Sequence, residues 1–185
     1  MATVQTSMTA EEFFGLPESD RPLELIEGEV IEMNMPGFRH GVVCGNISFI
    51  LREFLASHPM GRAATNDSGI VTRRNPDSVR GADVAFYSYE RLPKDEEPAG
   101  YPSVAPELVF EVLSPDDHWS KMLAKAGEYL EAGVGVVCLV DPKTQVVNVV
   151  HADQPTQELS GDDALSLPAI FGDDFDVPVR RFFES

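Results

Sequence analysis

The chain has 185 residues, of which 43% are apolar, and this length and composition fit one domain with a hydrophobic core and exclude wholesale disorder. Its net charge of −17 excludes a broadly basic nucleic-acid coat protein. No apolar run is long enough to cross a membrane, no basic-then-apolar secretory signal opens the chain, and Cys44 and Cys138 fit no disulfide scaffold or zinc-ligand spacing. We therefore expect a cytoplasmic protein without membrane association, folded as a single domain over residues 1–185, with both cysteines as small buried hydrophobic residues.

The first quarter of the chain predicts a helix, a hairpin and a second helix. Thr9 precedes Glu12 by three residues, the pattern of a capping box that opens a short helix. Residues 23–33 read as two short strands around a glycine turn. Between residues 38 and 57 apolar residues recur at spacings of three and four, which predicts a long helix with a broad buried face.

The middle of the chain predicts three strands followed by a helix. Residues 69–72, 82–87 and 107–113 are rich in β-branched and aromatic residues, and the first of these strands is short. Ser114 and Pro115 then resemble an N-cap and a first helical position, with acidic residues in the first turn.

The helix predicted after Ser114 carries Trp119, Met122 and Ala126 on one face and ends at Gly133. Residues 135–140 form an apolar run that is typical of a strand covered on both sides. A second strand follows at residues 146–151, and an edge strand is expected near residues 177–182. The order of the elements predicts an α/β fold in which helices flank a mixed β-sheet.

Two acidic residues stand inside apolar strands, where an unpaired charge is costly to bury. Asp83 lies in the second predicted strand and Glu111 in the third. A divalent cation held by two carboxylates on neighbouring strands would offset this cost, and without a cation the two carboxylates would repel each other. The alternative is that Asp83 caps its strand and Glu111 faces solvent.

The helix after Glu111 supplies candidate partners for these acids. Lys121, Lys125 and Tyr129 follow one another at intervals of four, on the face predicted to lie opposite Trp119. Lys125 directed at the two carboxylates would complete an acid–acid–lysine site around one cation. The alternative is a solvated lysine face.

Six short motifs occur in a fixed order along the chain: LELIEGE at 23–29, Pro36 with His40, ADV at 82–84, PELVFEVLSP at 106–115, Lys125 with Tyr129 and the following 132–134, and LVDP at 139–142. In this order they resemble the Uma family of endonucleases, a branch of the PD-(D/E)xK nuclease superfamily long classed as a domain of unknown function. The resemblance covers residues 8–182. It implies a restriction-endonuclease-like fold and an endonuclease that uses Mg²⁺ or Mn²⁺ to hydrolyse phosphodiester bonds of DNA.

The resemblance also implies roles for individual residues. Asp83 takes the place of the aspartate of the "PD" element, and Glu111 that of the acidic residue of the (D/E)xK element. Two residues after Glu111 stands Leu113 rather than lysine, a departure from the superfamily pattern. Members of the Uma family place this lysine on the following helix, where Lys125 is the matching position, while Lys121 is expected to be a surface ion-pair partner or a phosphate contact.

Five further residues complete the expected site. Glu24 matches an early acidic residue of the family and is expected to bind the metal or hold a water molecule. The backbone carbonyl of Val112 is expected to join Asp83 and Glu111 as a metal ligand, and the expected substrate contacts, besides Lys121, are His40, Arg80 and Tyr129.

The net charge opposes binding of a polyanion, because nucleic-acid affinity depends on lysine and arginine displacing counterions. Residues 62–80, however, carry four arginines against two aspartates and lead directly to Asp83, so a locally basic mouth is expected. The alternative function is a catalytically weak or silent nuclease fold that serves as an acidic binding or assembly module. A glycoside hydrolase is disfavoured because it leaves the lysines without a role. The resemblance, together with the apolar residues Phe182 and Phe183 at an end of the chain expected to be exposed, predicts a homodimer.

Overall fold

The computed structural model describes residues 7–184. Within these residues the α-helices are α1 (Ala10–Phe14), α2 (Phe38–Ser57), α3 (Trp119–Glu131) and α4 (Pro168–Phe171). The strands are β1 (Leu23–Ile26), β2 (Glu29–Glu32), β3 (Gly61–Arg73), β4 (Ser78–Ser88), β5 (Leu108–Val112), β6 (Val136–Asp141), β7 (Val146–Val150), β8 (Gln157–Ser160), β9 (Ala164–Ser166) and β10 (Asp176–Pro178). No helix among the described residues is long and apolar enough to cross a membrane.

The central feature is an eight-stranded mixed sheet. Its strands run in the order β2-β1-β4-β5-β6-β7-β8, and β3 pairs with β4 beside this path. The β5–β6 pair is parallel and the other pairs are antiparallel. The parallel pair is connected by α3, as a parallel pair requires a crossover connection. The predicted mixed sheet flanked by helices is confirmed.

Helices cover both faces of the sheet. On one face α2 contributes Val43 and Ile47 to a core that also contains Phe110 from β5. On the other face α3 contributes Met122 and Ala126 to a second core. All five residues of β5 are buried because this strand lies under both layers. An acidic side chain on β5 is therefore enclosed whichever face it occupies.

The N-terminal predictions are confirmed. The side chain of Thr9 accepts a hydrogen bond from the backbone N–H of Glu12, and the Glu12 carboxylate accepts one from the N–H of Thr9, which completes the capping box of α1. The hairpin forms as β1 and β2, and α2 has the predicted bounds.

Two predicted elements in the middle of the chain are present but have other bounds. The short strand at 69–72 is the end of β3, a 13-residue strand whose pairing with β4 shifts register between Thr65 and Ser68. The helix predicted after Ser114 begins only at Trp119. Its proposed first turn is a separate closed turn, because the Asp117 carboxylate accepts the N–H of Ser114 at 2.7 Å and the Asp117 N–H is donated to the Ser114 carbonyl at 3.0 Å.

The C-terminal prediction is wrong in part. The expected edge strand at 177–182 is the short β10, which pairs with β9, followed by a 3₁₀ helix over Val179–Phe183. Phe182 and Phe183 are 1% and 5% exposed, so they are core residues and not an exposed apolar terminus. The predicted homodimer loses this support and rests on the family resemblance.

Phe182 should be a main anchor of the C-terminal segment. Its ring packs edge-on against Phe110, with 5.9 Å between ring centroids. Phe182→Ala should lower the free energy of unfolding by about 3–5 kcal/mol, the usual cost of truncating a buried phenylalanine, measured by urea denaturation. Phe49→Ala is the matched control, because Phe49 is 62% exposed on α2 and should cost less than about 0.5 kcal/mol. Equal losses in the two variants would contradict the packing described.

Candidate active site

Glu111 is a buried acid with a partner on each carboxylate oxygen. It is 4% exposed. Its Oε1 accepts a hydrogen bond from the Tyr129 hydroxyl at 2.7 Å, and its Oε2 accepts one from Lys125 Nζ at 2.9 Å. Burial raises the pKa of Glu111 from 4.5 to about 7, because the opposing effect of the Lys125 charge is partly cancelled by the negative charge of Asp83.

Lys125 has three acceptors around its ammonium group. They are Glu111 at 2.9 Å, Glu24 Oε1 at 3.0 Å and the carbonyl oxygen of Gly81 at 3.0 Å. Burial lowers the pKa of Lys125, but the charges of Glu111 and Glu24 outweigh this effect, and the pKa lies above its ordinary value. Lys125 is therefore a charged group held in one position.

The other sequence-predicted residues of α3 occupy different environments. Tyr129 is fully buried and its hydroxyl also lies 3.2 Å from the Gly81 carbonyl oxygen. Lys121 is exposed. Trp119, predicted to face the core, is 41% exposed, whereas Lys125 and Tyr129 point at the sheet. The predicted facing of α3 is confirmed for Met122 and Ala126 and wrong for Trp119, because paired polar side chains as well as apolar ones line the buried side of the helix.

Glu24 contacts both of the largely buried basic side chains of the site, Lys125 and Arg80. Its Oε2 accepts a hydrogen bond from Arg80 at 2.8 Å, and its Oε1 accepts the Gly81 N–H at 3.1 Å in addition to Lys125. Glu24 is 3% exposed. These contacts make Glu24 a residue that positions Lys125 and the β4 backbone.

Arg80, predicted to contact substrate, is held inside the protein. Its guanidinium donates to Glu128 Oε2 from Nε at 2.9 Å and from a terminal nitrogen at 2.6 Å, as well as to Glu24. Burial raises the pKa of Glu128, but the hydrogen bond from Arg80 and a second from Thr72 keep it below its ordinary value. This arrangement orients Arg80 toward neighbouring carboxylates.

Asp83 lies at the end of the β4–β5 ladder. The last paired residues are Val84 and Phe110, so Asp83 and Glu111 occupy the next position on neighbouring strands. Asp83 Oδ2 accepts the N–H of Val112 at 2.7 Å, and Oδ1 lies 3.3 Å from His40 Nε2. A side chain therefore replaces the backbone acceptor that the ladder would have offered to Val112.

Asp83 and Glu111 make their closest contacts with different helices. Asp83 meets His40 of α2, whereas Glu111 meets Lys125 and Tyr129 of α3. Burial lowers the pKa of His40, but the hydrogen bond and charge of Asp83 raise it above its ordinary value, and Glu111 contributes to this rise. The charge of Asp83 also raises the pKa of Glu111, so the two acids, which are approached by helices from opposite faces of the sheet, lie within electrostatic range of each other.

Negative charge exceeds positive charge around this site. Asp67, on the bulge of β3, is close enough that burial and the charge of Asp83 raise its pKa. Among the described residues whose charges influence one another here, the acids are Glu24, Asp67, Asp83, Glu111 and Glu128, and the basic residues are His40, Arg80 and Lys125. A divalent cation would neutralise the excess.

The basic mouth expected from residues 62–80 is largely neutralised by the chain itself. Arg73 pairs with Glu27, and Arg74 pairs with Glu11 and Asp77. Arg62 donates to two backbone carbonyls, at 2.6 and 2.9 Å. With Arg80 also paired, each of these four arginines already has an acceptor within the protein.

Cys44 is a functional candidate that the sequence analysis treated as a hydrophobic residue. Its Sγ lies 3.5 Å from His40 Nδ1, and ligand atoms of His40, Cys44 and Asp83 all lie within 4.8 Å of one another. The available signal was the spacing of four between His40 and Cys44, which places both on one face of a helix. Cys138 is fully buried, as predicted.

The raised pKa of Glu111 should be visible in the pH dependence of stability of the metal-free protein. The folded state keeps the Glu111 proton up to about pH 7, whereas the unfolded chain releases it near pH 4.5. Between these values the unfolded state binds fewer protons, so stability should fall as pH rises, by about 3 kcal/mol relative to the Glu111→Gln variant. Urea denaturation in EDTA from pH 4 to 8 measures this. A difference between the two proteins that stays constant with pH would contradict the raised pKa.

Comparisons with known proteins agree with this architecture. The chain is similar to a crystal structure described as a putative nuclease belonging to DUF820 from Anabaena variabilis ATCC 29413, with 24% sequence identity, a TM-score of 0.79, and coverage of 95% of this chain and 97% of the other. This similarity shows the fold. No curated protein matches the chain. The model of the family Uma2, described as "Putative restriction endonuclease", matches residues 10–180, and the chain therefore belongs to the Uma2 family.

Proposed function

We propose that the protein is a metal-dependent endonuclease that hydrolyses phosphodiester bonds of DNA. The observation that carries this proposal is the buried Lys125–Glu111 pair beside Asp83, at the end of two paired strands. Membership of the Uma2 family supports the reaction class. A buried, charged lysine next to acids with excess negative charge is the arrangement that a phosphoryl-transfer site needs.

The donor set fits a hard divalent cation such as Mg²⁺ or Mn²⁺. Asp83 and Glu111 offer carboxylate oxygens, and the backbone carbonyl of Val112 is the proposed third ligand. Each carboxylate oxygen has two lone pairs, so the hydrogen bonds from Val112, Lys125 and Tyr129 leave capacity for coordination. When bound, the cation would supply charge neutralisation at the scissile phosphate and lower the pKa of the attacking water.

Lys125 would stabilise the negative charge that develops on the phosphate oxygens during the reaction. Glu24 and Glu111 keep its ammonium protonated and in place. Arg80 and Glu128 would contribute indirectly. Arg80 binds both Glu24 and Glu128 and so orients Glu24, which contacts Lys125. The proposed chemistry thus uses Asp83 and the Lys125–Glu111 pair.

A non-catalytic binding or assembly module is the second candidate function. The net charge of −17 and the pairing of the arginines before Asp83 favour it, since both reduce attraction of a polyanion. The two candidates differ in whether the folded protein cleaves nucleic acid in the presence of a divalent cation.

Divalent cations should stabilise the fold. A site that exists only in the folded state adds about 2.7 kcal/mol to stability when the cation is at a hundredfold excess over Kd. The melting temperature with Mg²⁺ or Mn²⁺ should therefore be higher than in EDTA, and Glu111→Gln should abolish the difference. Glu131→Gln, on the exposed end of α3, is the matched control and should keep it. Superimposed melts of the wild-type protein would contradict the metal site.

Lys125 and Lys121 provide a matched pair for catalysis, because they lie one turn apart on α3. Lys125→Ala should reduce Mg²⁺-dependent cleavage of single- or double-stranded DNA by about a hundredfold or more, the cost of losing a stabilising charge in the transition state. Lys121→Ala, at an exposed position, should leave the rate within a few-fold of the wild type. The assay is run at low salt so that weak binding is not mistaken for lost chemistry.

The Lys125 variant also needs a test of folding, because it leaves two buried glutamates without their shared cation. Lys125→Met keeps the side-chain volume, and circular dichroism shows whether either variant is folded. Equal rates in the wild type and a folded Lys125 variant would contradict the assignment of Lys125. A folded wild-type protein that cleaves no nucleic acid with Mg²⁺ or Mn²⁺ would favour the binding module.

A further inference from the structure

His40, Cys44 and Asp83 form a cluster that is distinct in its chemistry from the oxygen ligands discussed above. The Cys44 Sγ to His40 Nδ1 distance is 3.5 Å, and the His40 Nε2 to Asp83 Oδ1 distance is 3.3 Å. In a tetrahedral zinc site with bonds of about 2.0–2.3 Å, neighbouring ligand atoms are roughly 3.5 Å apart. These two contacts use opposite nitrogens of one imidazole, and a single cation takes only one of them. With one ligand atom from each residue, the three atoms lie within 4.8 Å of one another, so the side chains must move inward to reach the spacing of a three-ligand cation site.

The fold holds each member of the cluster in place. His40 and Cys44 lie one turn apart on α2, whose buried side contains Val43 and Ile47. The N–H of Val112 binds Asp83 Oδ2 at 2.7 Å, so the other oxygen of this carboxylate faces His40. A backbone donor that orients a carboxylate in this way is typical of the outer shell of a metal site.

We propose that His40, Cys44 and Asp83 bind a thiophilic divalent cation such as Zn²⁺ or Co²⁺. Cysteine and histidine favour such cations over Mg²⁺, which takes oxygen ligands. One thiolate and one carboxylate neutralise the two charges of the cation. Three protein ligands leave a fourth position for water.

This site shares Asp83 with the cation of the proposed nuclease. A thiophilic cation bound there withdraws Asp83 from the oxygen-ligand set, so Zn²⁺ should inhibit Mg²⁺-dependent cleavage. This consequence rests on the proposed function, whereas binding of the thiophilic cation does not.

Cobalt titration tests the site without reference to cleavage. The protein, freed of metal with EDTA and desalted, is titrated with Co²⁺ while absorption from thiolate-to-cobalt charge transfer is recorded. The wild type should develop this absorption with one cobalt per chain, Zn²⁺ should remove it, and equimolar Mg²⁺ should not. His40→Ala should weaken binding by at least about tenfold, as loss of a ligand costs no less than loss of its outer shell.

The two cysteines supply the matched control. Cys44→Ala should lose the charge-transfer absorption, and Cys138→Ala, which changes a fully buried residue of β6, should retain it. No charge-transfer absorption in the wild type, or absorption that survives in a folded Cys44→Ala variant, would overturn the proposal. Cleavage with Mg²⁺ by a wild type that shows no such absorption would overturn this site alone, and the absorption without any cleavage would contradict only the proposed nuclease activity.

Discussion

The site depends on the pairing of the buried Lys125 ammonium group with its acceptors. Burying this charge without partners would cost several kcal/mol, so the fold must bring all of its acceptors to the same place. They come from separate parts of the chain: Glu24 from the edge hairpin, the Gly81 carbonyl from β4 and Glu111 from β5. The docking of β1 against β4 is thus an electrostatic requirement of the site as well as a packing contact. Glu24 also binds Arg80, and Arg80 in turn binds Glu128. The ion pairs therefore form a chain from Lys125 to the partly exposed Glu128.

The candidate site lies where the regular pairing of β4 and β5 ends. The N–H of Val112 donates to the Asp83 carboxylate in place of a backbone carbonyl. Opposite Asp83, the bulge of β3 places Asn66 and Asp67 in the left-handed region, with φ of 67° and 54°. A bulge twists its strand and interrupts pairing, so polar groups there can face a cleft and not a neighbouring strand. The strands are regularly paired up to this point, and this pairing fixes the positions of Asp83 and Glu111.

Most of the architecture was predictable because local signals agreed with it, as in the capping box of α1 and the apolar periodicity of α2. The start of α3 was not, since Ser114 and Asp117 hydrogen-bond to each other and a pattern of capping residues cannot distinguish a turn from a helix. The acid pair and Lys125 stood out because charges in apolar strands need partners. Glu128 and Cys44 did not, because their roles come from Arg80 and Asp83, which are distant in sequence. Burial of Phe182 likewise depends on a contact with Phe110 that no local pattern encodes.

The acidic surface and a nuclease site are compatible once distance is considered. Interactions between exposed charges fade beyond about 8 Å at physiological ionic strength, so only the acids near the strand ends weigh on the site. In the proposed nuclease a phosphate would meet the local balance of Asp83, Glu111 and Lys125, which is negative without a cation. In the proposed nuclease the cation would therefore both supply the chemistry and attract the substrate, because Arg74 and Arg80 are already paired with the protein's own carboxylates. Such a nuclease would depend on its metal for substrate binding as much as for chemistry, and a thiophilic cation that competes for Asp83, as proposed above, would then reduce both.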